Sequence, residues 1–174
     1  MSTGDVSRKQ RAMYRHTLRP ILRCFSVAAF AALAILSCLP VYASEQSDVV
    51  AKIHQFIDGL NRGDAKTALA ACAPSASIID EFPPHEWEGP NACADWANAY
   101  SADAKRNDIT NGIVTLGEPW YVSVTGSRAY AVVPAKYAYK EHGKPVNEQN
   151  SIFTVALRKT SGGWLITGWA WSKH

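Results

Sequence analysis

The feature that most constrains this chain is a change of hydrophobic period at Asn107. Before it, apolar residues recur at helical spacing; after it, they alternate. Residues 47–61 place Val49, Val50, Ile53, Phe56, Ile57 and Leu60 on one stripe, and Gly63 stops the helix. Asp64 is the expected N-cap of a short helix, Ala65 to Ala71, that ends before Pro74. Ser75 to Glu81 reads as a strand centred on Ile78 and Ile79, ended by Phe82-Pro83-Pro84, with a loop to Gly89. A third helix, from Pro90 or Asn91 to about Arg106, carries Cys93, Trp96, Ala97, Tyr100 and Ala104 on one side.

Beyond Asn107, strands are expected at about 112–124, 128–140, 146–159 and 163–172. Thr125-Gly126-Ser127, Glu141-His142-Gly143-Lys144 and Thr160-Ser161-Gly162-Gly163 supply the turns. Pro134, inside the second of these strands, marks an expected bulge or bend. Helices followed by antiparallel strands make an α+β domain with helices on one sheet face. Strict alternation puts Trp169 and Trp171 on one face of the last strand and Trp164 on the other. A sheet covered on both faces would favour a homodimer.

Charge divides the chain in two. The net charge is +3, yet residues 1–43 hold six basic side chains (Arg8, Lys9, Arg11, Arg15, Arg19, Arg23) against Asp5. The remaining 12 basic and 14 acidic side chains leave residues 44–174 slightly negative, and all six tryptophans lie there. No basic face for nucleic acid is expected on such a domain. Residues 24–39, CFSVAAFAALAILSCL, are uncharged, follow the basic residues and end in Pro40-Val41-Tyr42-Ala43. That is the pattern of a secretory signal peptide over 1–43, cleaved after Ala43, with Met13 as an alternative start. The product would be secreted or periplasmic, without stable membrane insertion after cleavage. The run is short for a membrane span, which is the first alternative. A lipoprotein attached at Cys38, in Ile35-Leu36-Ser37-Cys38, is the second. In the exported chain Cys72 and Cys93 are left either to pair or to pack as two buried thiols.

The string FIDGLNRGDAKTALAACAPSASIIDEFPPHEWEG, Phe56 to Gly89, and the ending GGWLITGWAWS resemble the nuclear transport factor 2-like superfamily. That superfamily includes SnoaL-like cyclases, scytalone dehydratase and ketosteroid isomerase. The shared pattern is an amphipathic helix, the turn Asn61-x-Gly63-Asp64, a short helix, then Ala-Pro-Ser-Ala-Ser-Ile-Ile-Asp and a later glycine before the third helix. The resemblance implies a cone-shaped α+β barrel, three N-terminal helices packed on a curved, mostly antiparallel sheet, often dimeric through the sheet. It also puts Asp80 where ketosteroid isomerase keeps its carboxylate base. The isomerase's oxyanion donors do not carry over. Phe56 occupies the first-helix tyrosine position, and the protonated aspartate's position falls near Ile152, with no acid close by in that strand. Steroid isomerisation of that kind is therefore not expected.

Asp80 remains the candidate catalytic residue. As a general base it would sit on the Ile78 side of the first strand, its pKa raised by desolvation; otherwise it caps a turn or pairs with a basic side chain. Trp96, Tyr100, Trp120, Tyr137 and Trp169 are the candidate ligand-binding side chains for a flat apolar or aromatic molecule. Tyr100, Tyr137 or the Trp120 indole would supply a hydrogen-bond donor beside Asp80. His85, in the loop, is either an acid or holder of Asp80 or a solvated residue. His54 and Asp58 have i,i+4 spacing but no third metal ligand, so no metal is expected. His142 lies in a turn and His174 at the terminus. A Gly-rich phosphate loop, G-x-S-x-G, C-x-x-C and H-E-x-x-H are all missing from the sequence, and no cofactor is expected.

Two functions remain open. One is an exported SnoaL-like domain that binds a small apolar molecule, with proton-transfer or lyase chemistry based on Asp80. The other is a non-catalytic dimerisation or protein-binding module of the cell envelope.

Overall fold

A computed structural model describes residues 39–173. The export segment expected over 1–43, with Met13, Cys24 and Cys38, lies outside the described residues except for the helical backbone of 39–43. Among the described residues no helix is long and apolar enough to cross a membrane.

Among the described residues, three helices pack on a seven-stranded sheet. Helix α1 (Leu39–Asn61) buries Val49, Ile53, Phe56 and Ile57, the expected stripe. It ends as the sequence predicts. Gly63, at φ 67°, donates to Leu60 O at 2.9 Å, and the Asp64 amide donates to Gly59 O at 2.8 Å. This left-handed turn satisfies carbonyls that the helix end would orphan. The Asp64 carboxylate then accepts from Thr67 N and starts α2 (Ala65–Leu69). After β1 (Cys72–Ile79) and β2 (Glu86–Pro90) comes α3 (Ala92–Arg106). The strands β3 (Ile109–Leu116), β4 (Tyr121–Thr125), β5 (Arg128–Glu141), β6 (Lys144–Thr160) and β7 (Gly163–Ser172) complete the chain.

The sheet order is β2-β1-β7-β6-β5-β3, with β4 also pairing β5, and every pairing except β1–β7 is antiparallel. Two strand expectations change. Glu86–Pro90, read as loop, pairs with β1. The single strand expected at 112–124 is two, interrupted at Gly117–Trp120. Pro134 supplies the reason. Its carbonyl accepts from Gly117 N at 2.8 Å, so its ring nitrogen, which has no N–H, faces the same edge. A continuous strand there would meet a missing donor.

Register shifts occur in four strand pairings, and those in β6 and β7 set the phase of the strands that carry the core. In β7, Gly168 pairs with Ala156 and Ile166 with Leu157, so Thr167 is an extra residue. Trp164, Ile166, Trp169 and Trp171 therefore share the inner face, opposite Lys159, Leu157, Val155 and Phe153. This corrects the expectation that Trp164 lies on the opposite face: it is 2% exposed, within the core. The homodimer argument built on it loses its premise. The outer sheet face instead carries Ile79, Tyr121 and Tyr130, exposed at 56%, 55% and 45%. In β6, Ser151 pairs with Ala135 and Glu148 with Tyr137, so Gln149 and Asn150 oppose a single residue of β5.

Cys72 and Cys93 form a disulfide that ties the start of β1 to the first turn of α3, Cα to Cα 6.6 Å. Replacing both with Ala is expected to cost about 3 kcal/mol, from a closed loop of roughly 20 residues. A urea midpoint unchanged by the double substitution would overturn this. A second expectation follows from the β7 bulge. A Cβ on Gly168 would lie 2.7 Å from the Ser77 carbonyl oxygen, where β1 crosses β7. Gly168→Ala is expected to lower the unfolding free energy by about 1–3 kcal/mol without changing the urea m-value.

Candidate active site

Asp80 follows directly on β1, where Ile78 is wholly buried and Ile79 faces out. Alternation turns its side chain inward with Ile78. Its Oδ2 accepts from Trp96 Nε1 at 2.8 Å, and its Oδ1 from the Glu81 amide at 2.7 Å. Asp80 thus caps the turn at Glu81 while its second oxygen is held by an indole rather than by a basic side chain. Burial pushes its pKa up to about 6; the Trp96 and Glu81 hydrogen bonds pull the other way, and the charges of Glu81 and Glu148 add to the rise. His85 does not hold the carboxylate. Its carbonyl accepts from Asp80 N at 3.0 Å and its Nδ1 lies 3.2 Å from the Asp80 carbonyl, so it closes the exposed loop behind the site.

Asp80 lines a cavity of about 500 Å³ between α1, α3, β3 and the inner sheet face. Phe56, Trp96, Phe153 and Trp169 meet there. Trp96 stands edge-on to Trp169 at 4.8 Å, and Phe153 lies 5.5 Å from Trp169. These contacts give the carboxylate an apolar surrounding. Tyr100 from α3 and Tyr137 from β5 enter the same cavity, with their phenols hydrogen-bonded to each other. One O–H proton is used inside the pair, which leaves the other free for a ligand oxygen. Burial raises the pKa of both, and the hydrogen bond to Tyr100 raises that of Tyr137 further, so both stay protonated at neutral pH. Gly112 makes room for the pair: a Cβ there would lie 2.6 Å from the Tyr137 hydroxyl.

Four of the five candidate ligand-binding residues, Trp96, Tyr100, Tyr137 and Trp169, line the cavity with Asp80. Trp120 does not. It sits in the β3–β4 break, 65% exposed, its amide donating to Val132 O. His54, Asp58 and His142 are exposed, and His174 lies outside the described residues. Among the described residues no three His, Cys, Asp or Glu side chains gather as a metal site.

The structure also corrects the statement that β6 brings no acid close to the site. The bulge at Gln149–Asn150 turns Glu148 inward opposite Tyr137, only 8% exposed. Strict alternation from Phe153 would have pointed it at solvent, so the sequence pattern concealed it. Tyr139, stacked on Tyr137 at 4.6 Å, donates to Glu148 Oε1 at 3.3 Å. Lys173 Nζ lies 2.7 Å from Glu148 Oε1 and 3.1 Å from Glu81 Oε1. Glu148 Oε2 and Ser151 Oγ are buried and have no hydrogen-bond partner among the described residues.

The arrangement is a desolvated carboxylate and a protonated phenol pair around one apolar cavity. Known proteins share its frame. An NTF2-like protein with a cystatin-like fold from Novosphingobium aromaticivorans superposes with a TM-score of 0.65 at 17% identity, covering 81% of this chain and 89% of that one. An NTF2-like superfamily protein from Salmonella enterica gives 0.64 at 16% identity, covering 76% and 92%. A ketosteroid isomerase-like protein from Erwinia carotovora gives 0.58 at 15%, covering 74% and 95%. At these identities the similarity shows the fold alone. No curated protein matches the sequence. The SnoaL-like domain family matches residues 49–172, from Val49 in α1 to the end of β7, and the chain belongs to that family.

Proposed function

We propose that this SnoaL-like domain binds a small apolar or aromatic carbonyl compound in its cavity and moves a proton on it without a cofactor. The observation that supports this is the meeting of Asp80 with the Tyr100–Tyr137 pair in one cavity. Asp80 takes a proton from the carbon beside the carbonyl. The electron pair moves into the carbonyl, whose oxygen accepts a hydrogen bond from the free phenol O–H. Return of the proton to another carbon gives an isomer; loss of a leaving group from the neighbouring carbon gives a lyase product. The phenols stand in for the oxyanion donors that Phe56 and Ile152 do not supply. Trp96 and Trp169 would hold the flat face of the ligand.

The reading includes export, with the domain starting at Ser44, and a homodimer. The dimer rests on the outer face that leaves Ile79, Tyr121 and Tyr130 exposed. The alternative, a non-catalytic module of the cell envelope, is what remains if the cavity takes no ligand.

A thermal-shift screen with cyclic ketones and aromatic aldehydes, on wild type and Asp80→Asn, tests binding. Hits are then followed by NMR exchange of the α-proton for deuterium. Wild type is expected to exchange the proton, Asp80→Asn to lose at least about 100-fold, and Tyr137→Phe about 10- to 100-fold. Absence of any ligand shift across the library would favour the non-catalytic module.

Asp80 also predicts a pH signature. Its folded pKa is raised, so its contribution to stability is present below about pH 4 and is lost as the pH rises through about 6. Wild type is therefore destabilised at pH 8 by burying the ionised carboxylate. Asp80→Asn is expected to be more stable than wild type at pH 8 by about 1–3 kcal/mol and to lose that advantage at pH 4. Urea unfolding at both pH values measures it; a variant less stable at pH 8 would overturn the assignment. Proton exchange should rise with pH through about 6, because the base must be ionised.

A further inference from the structure

We propose that Lys173 is a positioning residue for Asp80: its ammonium ties Glu81 on the base side to Glu148 on the tyrosine side and offsets part of the negative charge that the two acids direct at the Asp80 carboxyl. The inference rests on Asp80 as the base, but its geometry is independent of any substrate.

Lys173 Nζ makes two ion pairs, 2.7 Å to Glu148 and 3.1 Å to Glu81. The two acids reach the site from different elements. Glu81 is the neighbour whose amide holds Asp80 Oδ1. Glu148 comes from the β6 bulge and holds the hydroxyl of Tyr139, which stacks on Tyr137. Lys173 thus links the neighbour of the base to the acid that holds Tyr139 beside Tyr137. Asp80 and Glu81 line the cavity, Glu148 is buried behind Tyr137, and the charges of both glutamates disfavour ionisation of Asp80. A single cation between the two glutamates lets Asp80 ionise without a third uncompensated charge. Burial pulls the Lys173 pKa down, but the hydrogen bonds and charges of Glu148 and Glu81 outweigh it and the net shift is upward, so the ammonium is charged wherever Asp80 titrates. Sequence pattern concealed this tie, because it joins a bulged residue to one beyond the last strand.

The groups facing Asp80 are Glu81 on its own turn, Trp96 and Tyr100 on α3, Tyr137 on β5 and Glu148 on β6, with His85 against its backbone. The measurement is made in a His85→Gln background, which removes the imidazole that lies against the Asp80 backbone. The probe is the Trp96 indole N–H, which donates to Asp80 Oδ2 and reports its protonation by two-dimensional NMR between pH 4 and 8. Lys173→Met is expected to raise the midpoint by about one unit, a tenfold gain in proton affinity. Glu148→Gln should lower it, Lys173→Met combined with Glu148→Gln should return it toward wild type, and Lys173→Arg should leave it in place. Loss of a merely structural ion pair would lower thermal stability without moving this midpoint. Midpoints agreeing within about 0.2 unit across all the proteins would overturn the proposal. So would a Trp96 signal that does not titrate in this range. Neither outcome depends on turnover: failure of Asp80 as a base would appear only as equal proton exchange in wild type and Asp80→Asn.

Discussion

Two extra residues, one in β7 and one in β6, decide which side chains of those strands turn inward. At Thr167 the β7 bulge brings Trp164 and Ile166 into phase with Trp169 and Trp171, so one strand lines the inner face along its whole length. At Gln149–Asn150 the β6 bulge turns Glu148 in and sends its neighbours out. A one-residue slip of phase flips every side chain beyond it. Without the first bulge, the tryptophans that pack around Phe56 and Phe153 would point to the outer face. Without the second, the tyrosine side of the site would hold no acid. Gly168 allows the first bulge to sit against β1, because the Ser77 carbonyl occupies the place of a side chain.

Around that frame the site combines costs that a purely structural core would avoid. Asp80 is buried among aromatics with a neutral donor, Trp96, in place of a cation. Desolvation then outweighs its two hydrogen bonds, and the carboxyl holds its proton more tightly than usual. Glu148 Oε2, Ser151 Oγ and the indole nitrogens of Trp164 and Trp169 are buried without partners among the described residues. Each such group costs on the order of 1–3 kcal/mol. The disulfide at the other end of β1 offsets part of this by tying the strand that carries Asp80 to the helix that carries Trp96.

Much of the fold was legible in the residues. The α1 stripe, the Gly63-Asp64 turn, α3 and the spans of three of the later strands appear where periodicity puts them, because alternation persists on either side of each bulge. Asp80 was legible for the same reason, two residues past the buried Ile78 on a short strand without a bulge between them. Tyr100 followed from helical spacing one turn after Trp96. Tyr137 was found as an aromatic residue, but its pairing with Tyr100 joins residues 37 positions apart. Trp120 misled: a strand expected to run through 124 is broken by the missing donor of Pro134 on the neighbouring strand, which no local pattern reveals.

The sequence by itself determined an α+β chain of helices followed by strands, a charge boundary near residue 43, two cysteines able to pair and a carboxylate, Asp80, on the Ile78 side of the first strand. These follow from local regularities, because periodicity, capping residues and turn glycines act within a few positions. Only the tertiary structure decided that Cys72 meets Cys93, that the phenols of Tyr100 and Tyr137 join, and that Lys173 bridges Glu81 and Glu148. Those outcomes depend on strand register, and one bulged residue reverses inside and outside while leaving composition and average hydropathy unchanged.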